Sequence, residues 1–151
     1  SKPSTVHTDN WFFPGCPVNG PSIASHGDLV AISRFTVSNN KAQVILRLSK
    51  TGKMKFGKEI VLDQDSPVGR CATVFTKDAV FTVWIGHEGK QTALQMAQVS
   101  PAGKIERRTT LAPIDSNRSS GLPRAVVSGG DLGGAWTGEN RVRLGRLKIG
   151  A

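Results

Sequence analysis

"GDLVAISRF" at residues 27–35 returns as "KDAVFTVWI" at 77–85 and as "GDLGGAWTG" at 130–138. Each copy sets a Gly- or Lys-Asp turn ahead of a short apolar strand, and the copies stand about fifty residues apart. A second stretch repeats too: "VILRLSKTGKMKF" (44–56) is echoed by "LQMAQVSPAGKIE" (94–106), with Ser49 to Ser100 and Gly52 to Gly103 both 51 apart. A period near fifty with four short strands per unit is the pattern of a β-propeller blade; a sandwich has no such internal copying. The fold class read from the sequence is therefore all-β, built from blades of four-stranded antiparallel meanders, about three blades in this chain.

Working outward from the repeat, the first blade takes strands near 21–25, 29–36, 41–49 and 58–63, and the second takes 70–76, 79–86, 91–100 and 105–111. The third has 124–128, 131–137 and 141–149 and lacks an outer strand. The units fall at 16–66, 67–119 and 120–151 within one domain. The segment "KPSTVHTD" (2–9) stands before "CPVNGP" as "KEIVLDQD" (58–65) stands before "SPVGRC". Residues 1–15 are thus expected to be the outer strand of a preceding blade plus a crossing. Three blades leave too wide a wedge to close. The expected partner is a second copy, with residues 2–8 pairing beside residues 141–149 of the other chain, or else the missing half of a longer chain.

Composition supports this reading. The 151 residues suffice for one core, and Gly 17 and Pro 8 punctuate runs of Val, Ile, Leu, Phe and Thr as in a chain of short strands. No run of 18 apolar residues offers a membrane span, and no signal peptide is visible. The net charge of +9, spread along the chain, favours anionic partners or reads as a solvated basic surface. Phe 6, Trp 3 and Tyr 0, placed within strand patterns, argue against a base-stacking platform and so against nucleic acid. Cys16 and Cys71 lack zinc-site spacing, and neither a metal nor a cofactor is expected. Both open an innermost strand, which leaves a disulfide and, more commonly, two buried thiols as alternatives.

The turn "SKTGKMKF" (49–56) resembles the Asp-box, or bacterial neuraminidase repeat, of sialidase blades: Ser49 and Phe56 align, with Thr51 at the Asp place and Lys53 at a Gly place. In the second blade "SPAGKIER" (100–107) keeps Ser100 and a displaced Gly103. With "VHTDNWFFPGCPVNGPSIA" (6–24) and "GLPRAVVSGGDLGGAWT" (121–137), the chain is similar to the C-terminal half of sialidase-like, Asp-box bacterial proteins. That resemblance implies a six-bladed propeller and export from the cytoplasm, and the ligand expected at the axial funnel is anionic or a carbohydrate, an anionic glycan among the candidates. A retaining sialidase needs a Tyr nucleophile, an acid/base Asp and three carboxylate-gripping Arg. This chain has no Tyr, so no catalytic residue is assigned in it. Its expected role is a non-catalytic or catalytically incomplete ligand-binding domain. The alternatives are part of an active exo-sialidase-type glycoside hydrolase whose nucleophile lies elsewhere, and a purely structural interaction module.

The binding candidates are Arg70 in "PVGRCA" and Arg124 in "GLPRAV", 54 apart at the start of successive innermost strands. One reading sends both guanidinium groups to one face around the central axis to grip a carboxylate. The other has them cap loop carbonyls or pair with Asp65 or Asp115. His7, Asp9 and Asn19 flank the Gly15-Cys16-Pro17 turn and are candidates for the same rim. Trp11, Phe12 and Phe13 are expected to seal a blade interface, and Trp84 and Trp136, 52 apart, to pack between blades.

Overall fold

The structure, a computed structural model, describes residues 2–3, 5–8, 10–11, 18–50 and 54–149. Alternating apolar positions broken by two-residue turns produce three antiparallel meanders. The first sheet runs in order β1 (Ser22–His26), β2 (Leu29–Ser38), β3 (Lys41–Lys50) and β4 (Ile60–Asp63). The second follows as β5 (Gly69–Phe75), β6 (Val80–Glu88), β7 (Gln91–Val99) and β8 (Ile105–Pro113). The third holds β9 (Arg124–Ser128), β10 (Asp131–Gly138) and β11 (Arg141–Lys148). These are eleven strands in sheets of four, four and three among the described residues, with one 3₁₀ turn at Arg118–Ser120. No strand forms over residues 2–3 or 5–8, where an outer strand was expected.

The hairpin turns show why the strands fall where they do. Asn39 and Asn40 (φ 50° and 60°) and Glu139 and Asn140 (φ 51° and 59°) take positive φ at both central positions, as a two-residue turn that follows the strand twist demands. The third copy of the repeat differs by one residue from its sequence alignment. Its turn is Gly129-Gly130, closed by the Ser128–Asp131 pair, so Asp131 is the first residue of β10 rather than part of the turn. A slip of one position exchanges the faces of a strand. Counted from the turns, Arg34, Trp84 and Trp136 are equivalent, each the sixth position beyond its hairpin turn.

Each sheet meets its neighbour through one leading and one trailing face. Ala31, Val44, Leu46 and Leu62 on the leading face of the first sheet pack on Cys71, Val80, Trp84, Ala97 and Val99 on the trailing face of the second. The leading face of the second, with Phe81, Val83, Ile85, Leu94 and Met96, packs on Leu132, Ala125, Val127 and Trp136 of the third. Phe81, Leu94 and Met96 are at most 1% exposed, and burying such side chains contributes about 2 kcal/mol each. Between the first and second sheets runs a row of buried hydroxyls: Ser33 Oγ lies 2.6 Å from Thr73 Oγ1, which lies 3.2 Å from Thr82 Oγ1. Nearby, Trp84 Nε1 donates to Asp63 Oδ2 across the same interface at 2.6 Å. Gly86 makes room for that pair, since a Cβ there would fall 2.7 Å from Asp63 Oδ2 and 2.9 Å from Trp84 Nε1.

Candidate functional site

The first strands of the three sheets lie side by side: β5 packs against β1 and β2 on one side and against β9 on the other. The loops that lead into these strands carry the candidate residues. Asn19 arrives from the segment before β1, Gly69 and Arg70 open β5, and the 3₁₀ turn and Arg124 lead into β9.

Arg70 enters β5 on a β-bulge, the register shifting between Gly69 and Ala72. Both bulge residues have positive φ, 90° at Gly69 and 58° at Arg70. Gly69 admits no side chain, since a Cβ would fall 2.7 Å from Phe35 Cβ. Asn19 pins the bulge from the segment before β1: its Oδ1 accepts from the Arg70 N–H at 2.5 Å and its Nδ2 donates to the Val68 carbonyl at 3.1 Å. For Arg70 the geometry is that of the second sequence reading, a cap on loop carbonyls. The Arg70 side chain is 4% exposed and is turned into the protein, where Nη1 donates to the carbonyls of Asn117 (2.8 Å) and Gly121 (3.2 Å). Nη2 lies 3.5 Å from the carbonyl of Ser116. Arg124 is exposed. The two arginines therefore do not form a shared open clamp, because the bulge directs Arg70 at the loop following β8.

That loop carries a residue the sequence reading passed over. Asn117 caps the 3₁₀ turn by accepting from the Ser120 N–H, and Ser120 Oγ donates to the Asp115 carbonyl, which presents Arg118 to solvent. Burial, and then the nearby charge of Arg118, depress the pKa of Arg70 below its ordinary value. Arg118 is exposed on the loop that the buried Arg70 guanidinium holds, and Arg124, also exposed, begins the adjoining strand β9. The only hint in the sequence was the run "SNRSSGLPR" (116–124), whose small polar residues cap turns and whose two arginines flank them.

His7 and Asn19 line a cleft of about 450 Å³ together with Arg34, Ile23 and Ile32, a different place from Arg70 and Arg124, which are not among its lining residues. His7 belongs to a charged cluster on the trailing face of the first sheet. Glu59 Oε1 is 3.0 Å from Arg34 Nη2, 3.1 Å from Arg47 Nη2 and 3.3 Å from His7 Nε2. His7 Nδ1 lies 3.1 Å from Arg47 Nη2. The glutamate bridges its two arginines across the sheet, while Arg47 Nε is buried without a hydrogen-bond partner among the described residues. Asp9 and Cys16 lie outside the described residues, as do Phe12, Phe13 and Thr51. Trp11 packs edge-on against Phe35 with ring centroids 5.6 Å apart, and Ser49 Oγ donates to the Lys55 carbonyl at 2.8 Å.

Cys71 is a buried free thiol facing the first sheet. Burial pushes its pKa up to about 12, with a smaller upward push from Asp63 and a downward one from the hydrogen bond to Ser33. It is held as a neutral packing group, remote from nucleophilic chemistry. In comparison with known proteins, no family model and no curated protein matches the chain.

Proposed function

We propose that the chain is part of a β-propeller of sialidase-like architecture, each meander one blade and the chain half of a six-bladed ring, which binds an anionic glycan at its axial mouth without hydrolysing it. The observation that carries the reading is the loop that Arg70 holds: its Nη1 donates to the carbonyls of Asn117 and Gly121, between which Arg118 is exposed, and Arg124 is exposed where β9 begins. Convergence of β1, β5 and β9 supports the propeller reading, since first strands of successive blades gather on the axis in that architecture. Arg70 acts as a positioning residue. It ties the loop of residues 116–121 to β5, so that Arg118 and Arg124 stand at the mouth rather than moving with a free loop. Exposed guanidinium groups suit a carboxylate, which accepts two parallel N–H bonds. Hydrolysis is not expected because the chain holds no Tyr and Glu59 is engaged by Arg34 and Arg47 in the trailing-face cluster.

The test uses N-acetylneuraminic acid as the probe, followed by calorimetry or by chemical shifts of the arginine side chains. Replacing Arg118 and Arg124 together by Ala should weaken binding about 10-fold at low salt and flatten its salt dependence. Unchanged binding in the double variant would refute the mouth as the site, and turnover of a fluorogenic sialoside by this polypeptide would refute the non-catalytic reading.

A further inference from the structure

We infer that the cleft beside Trp136, between the second and third sheets, is a binding site for a neutral monosaccharide. Its first ground is a comparison of two equivalent interfaces. Trp84 and Trp136 hold the same place in successive sheets, and a glycine follows each two residues later, Gly86 and Gly138. Between the first and second sheets that glycine leaves room for the bond from Trp84 Nε1 to Asp63 Oδ2. Asp63 pairs with Val44, the fourth residue of β3, beside a register shift. The fourth residue of β7 is Leu94, which pairs with Ala112, again beside a register shift. Ala112 therefore stands where the carboxylate of the first interface is rooted. The second interface has the room without that acceptor.

The second ground is what this difference leaves. Trp136 Nε1 is buried and has no hydrogen-bond partner among the described residues. A buried donor in that condition gains from an oxygen brought to it. In front of Ala112 lies a cleft of about 400 Å³, lined also by Ile114, Asp115, Trp136, Glu139 and Arg143, a size suited to a small molecule. The Cη2 and Cζ3 end of the indole rests over Gly145, and its Cδ1 edge faces Gly138. A Cβ on Gly138 would stand 3.9 Å from Trp136 Cδ1 and 3.5 Å from Arg143 Nε, so Arg143 lies across the indole edge. The Arg143 side chain is 46% exposed and tied at its tip to Glu139, which makes it the part of the wall that turns aside to admit a ligand.

The third ground is the chemistry of the lining, which selects the ligand. Trp136 and Arg143 can only donate hydrogen bonds, and the carboxylates of Asp115 and Glu139 can only accept them. A hydroxyl does both. Neighbouring hydroxyls on a sugar ring can take the indole N–H on an oxygen and give their own hydrogens to the acids. Two carboxylates against one guanidinium make the lining net negative, which disfavours a free carboxylate in the place that Asp63 fills at the first interface. Ala112, Ile114 and the indole offer apolar surface to the C–H groups of the ring. Neither Arg118 nor Arg124 lines this cleft, so it is a different site from the carboxylate-binding loop and takes a different ligand.

Indole N–H signals in heteronuclear NMR spectra of the 151-residue chain test this directly. The Trp136 signal is the one lost in Trp136→Phe. D-Glucose, D-galactose and D-mannose are titrated separately to about 50 mM. At least one should move the Trp136 signal to saturation while that of Trp84, already held by Asp63, stays in place. Ala112→Asp supplies the acceptor from the chain itself. It should weaken sugar binding about 10-fold or more and move the Trp136 signal toward that of Trp84. Glu139→Gln should weaken binding about 3-fold or more, and at a side chain 76% exposed it keeps the test decisive if Ala112→Asp misfolds. No movement with any of the three sugars would overturn the site. A larger response to acetate than to every sugar would overturn the sugar in favour of a carboxylate. Sugar binding that survives both substitutions unchanged would overturn the placement at this cleft.

Discussion

Replacing Arg70 by Ala isolates what its guanidinium does for the mouth. The contact to Ser116 at 3.5 Å is beyond the ordinary N–H···O range, so two bonds matter, at 2.8 and 3.2 Å. Each carbonyl left without a cationic donor costs about 1–3 kcal/mol, and water entering the vacated space brings both toward the lower end. The loss should be about 2–3 kcal/mol in urea unfolding at neutral pH, with faster amide exchange over residues 116–121. Arg70→Gly separates backbone from side chain. Arg70 has a φ of 58°, in the left-handed region that costs a residue with a Cβ about 1 kcal/mol. The glycine variant should therefore lose about 1 kcal/mol less than the alanine one. A loss below about 1 kcal/mol for Arg70→Ala, or a glycine variant no better than alanine, would refute the capping role.

Two other perturbations follow from the interface between the first and second sheets. Asp63→Ala removes the acceptor of the buried Trp84 indole and should cost about 2 kcal/mol, whereas Trp84→Phe combined with it should cost little more than Trp84→Phe alone; a double-mutant cycle by denaturant unfolding measures this. For Cys71, a folded pKa of about 12 lies above the unfolded value of 9.0, so the thiol's contribution is whole below pH 9 and is lost as pH rises toward 12. Wild-type stability relative to Cys71→Ala should fall by about 1.4 kcal/mol per pH unit across that window. A difference that stays flat from pH 8 to pH 11 would show that the thiol ionises freely in the fold.

The strand pattern was readable because half-buried strands write their burial into alternate residues. β2, β3, β6, β7 and β9 lie within a residue or two of where alternation put them. The faces of the third sheet were not readable from the Gly-Asp match, because a two-residue turn can be built from Gly129-Gly130 as well as from Gly-Asp, and only the closing backbone pair fixes the register. The equal 52-residue spacing of Trp84 and Trp136 was the better guide, since a large side chain must find the same interface. Arg70 and Arg124 looked alike in one dimension, each just ahead of an innermost strand. The bulge at Gly69 and Arg70 separated them, and a bulge depends on Asn19 of another sheet, about fifty residues earlier. Arg118 was missed for the same reason: its place is set by Arg70, which holds the loop from outside.

The row of hydroxyls from Ser33 through Thr73 to Thr82 constrains how this interface can change over time. A hydroxyl can give and receive at once, so the three are satisfied as a line although water is excluded from them. Removing the middle one takes a partner from both neighbours, and removing an end one takes a partner from Thr73 alone, whereas exchanging all three for apolar groups of similar shape leaves none short. Single steps away from the row lead downhill in stability before any alternative is reached. The interface is consequently easy to inherit and hard to rewrite one codon at a time. Drift is expected to spread first through the second and third sheets, whose contact is apolar and tolerates piecemeal exchange of one side chain for another of like volume.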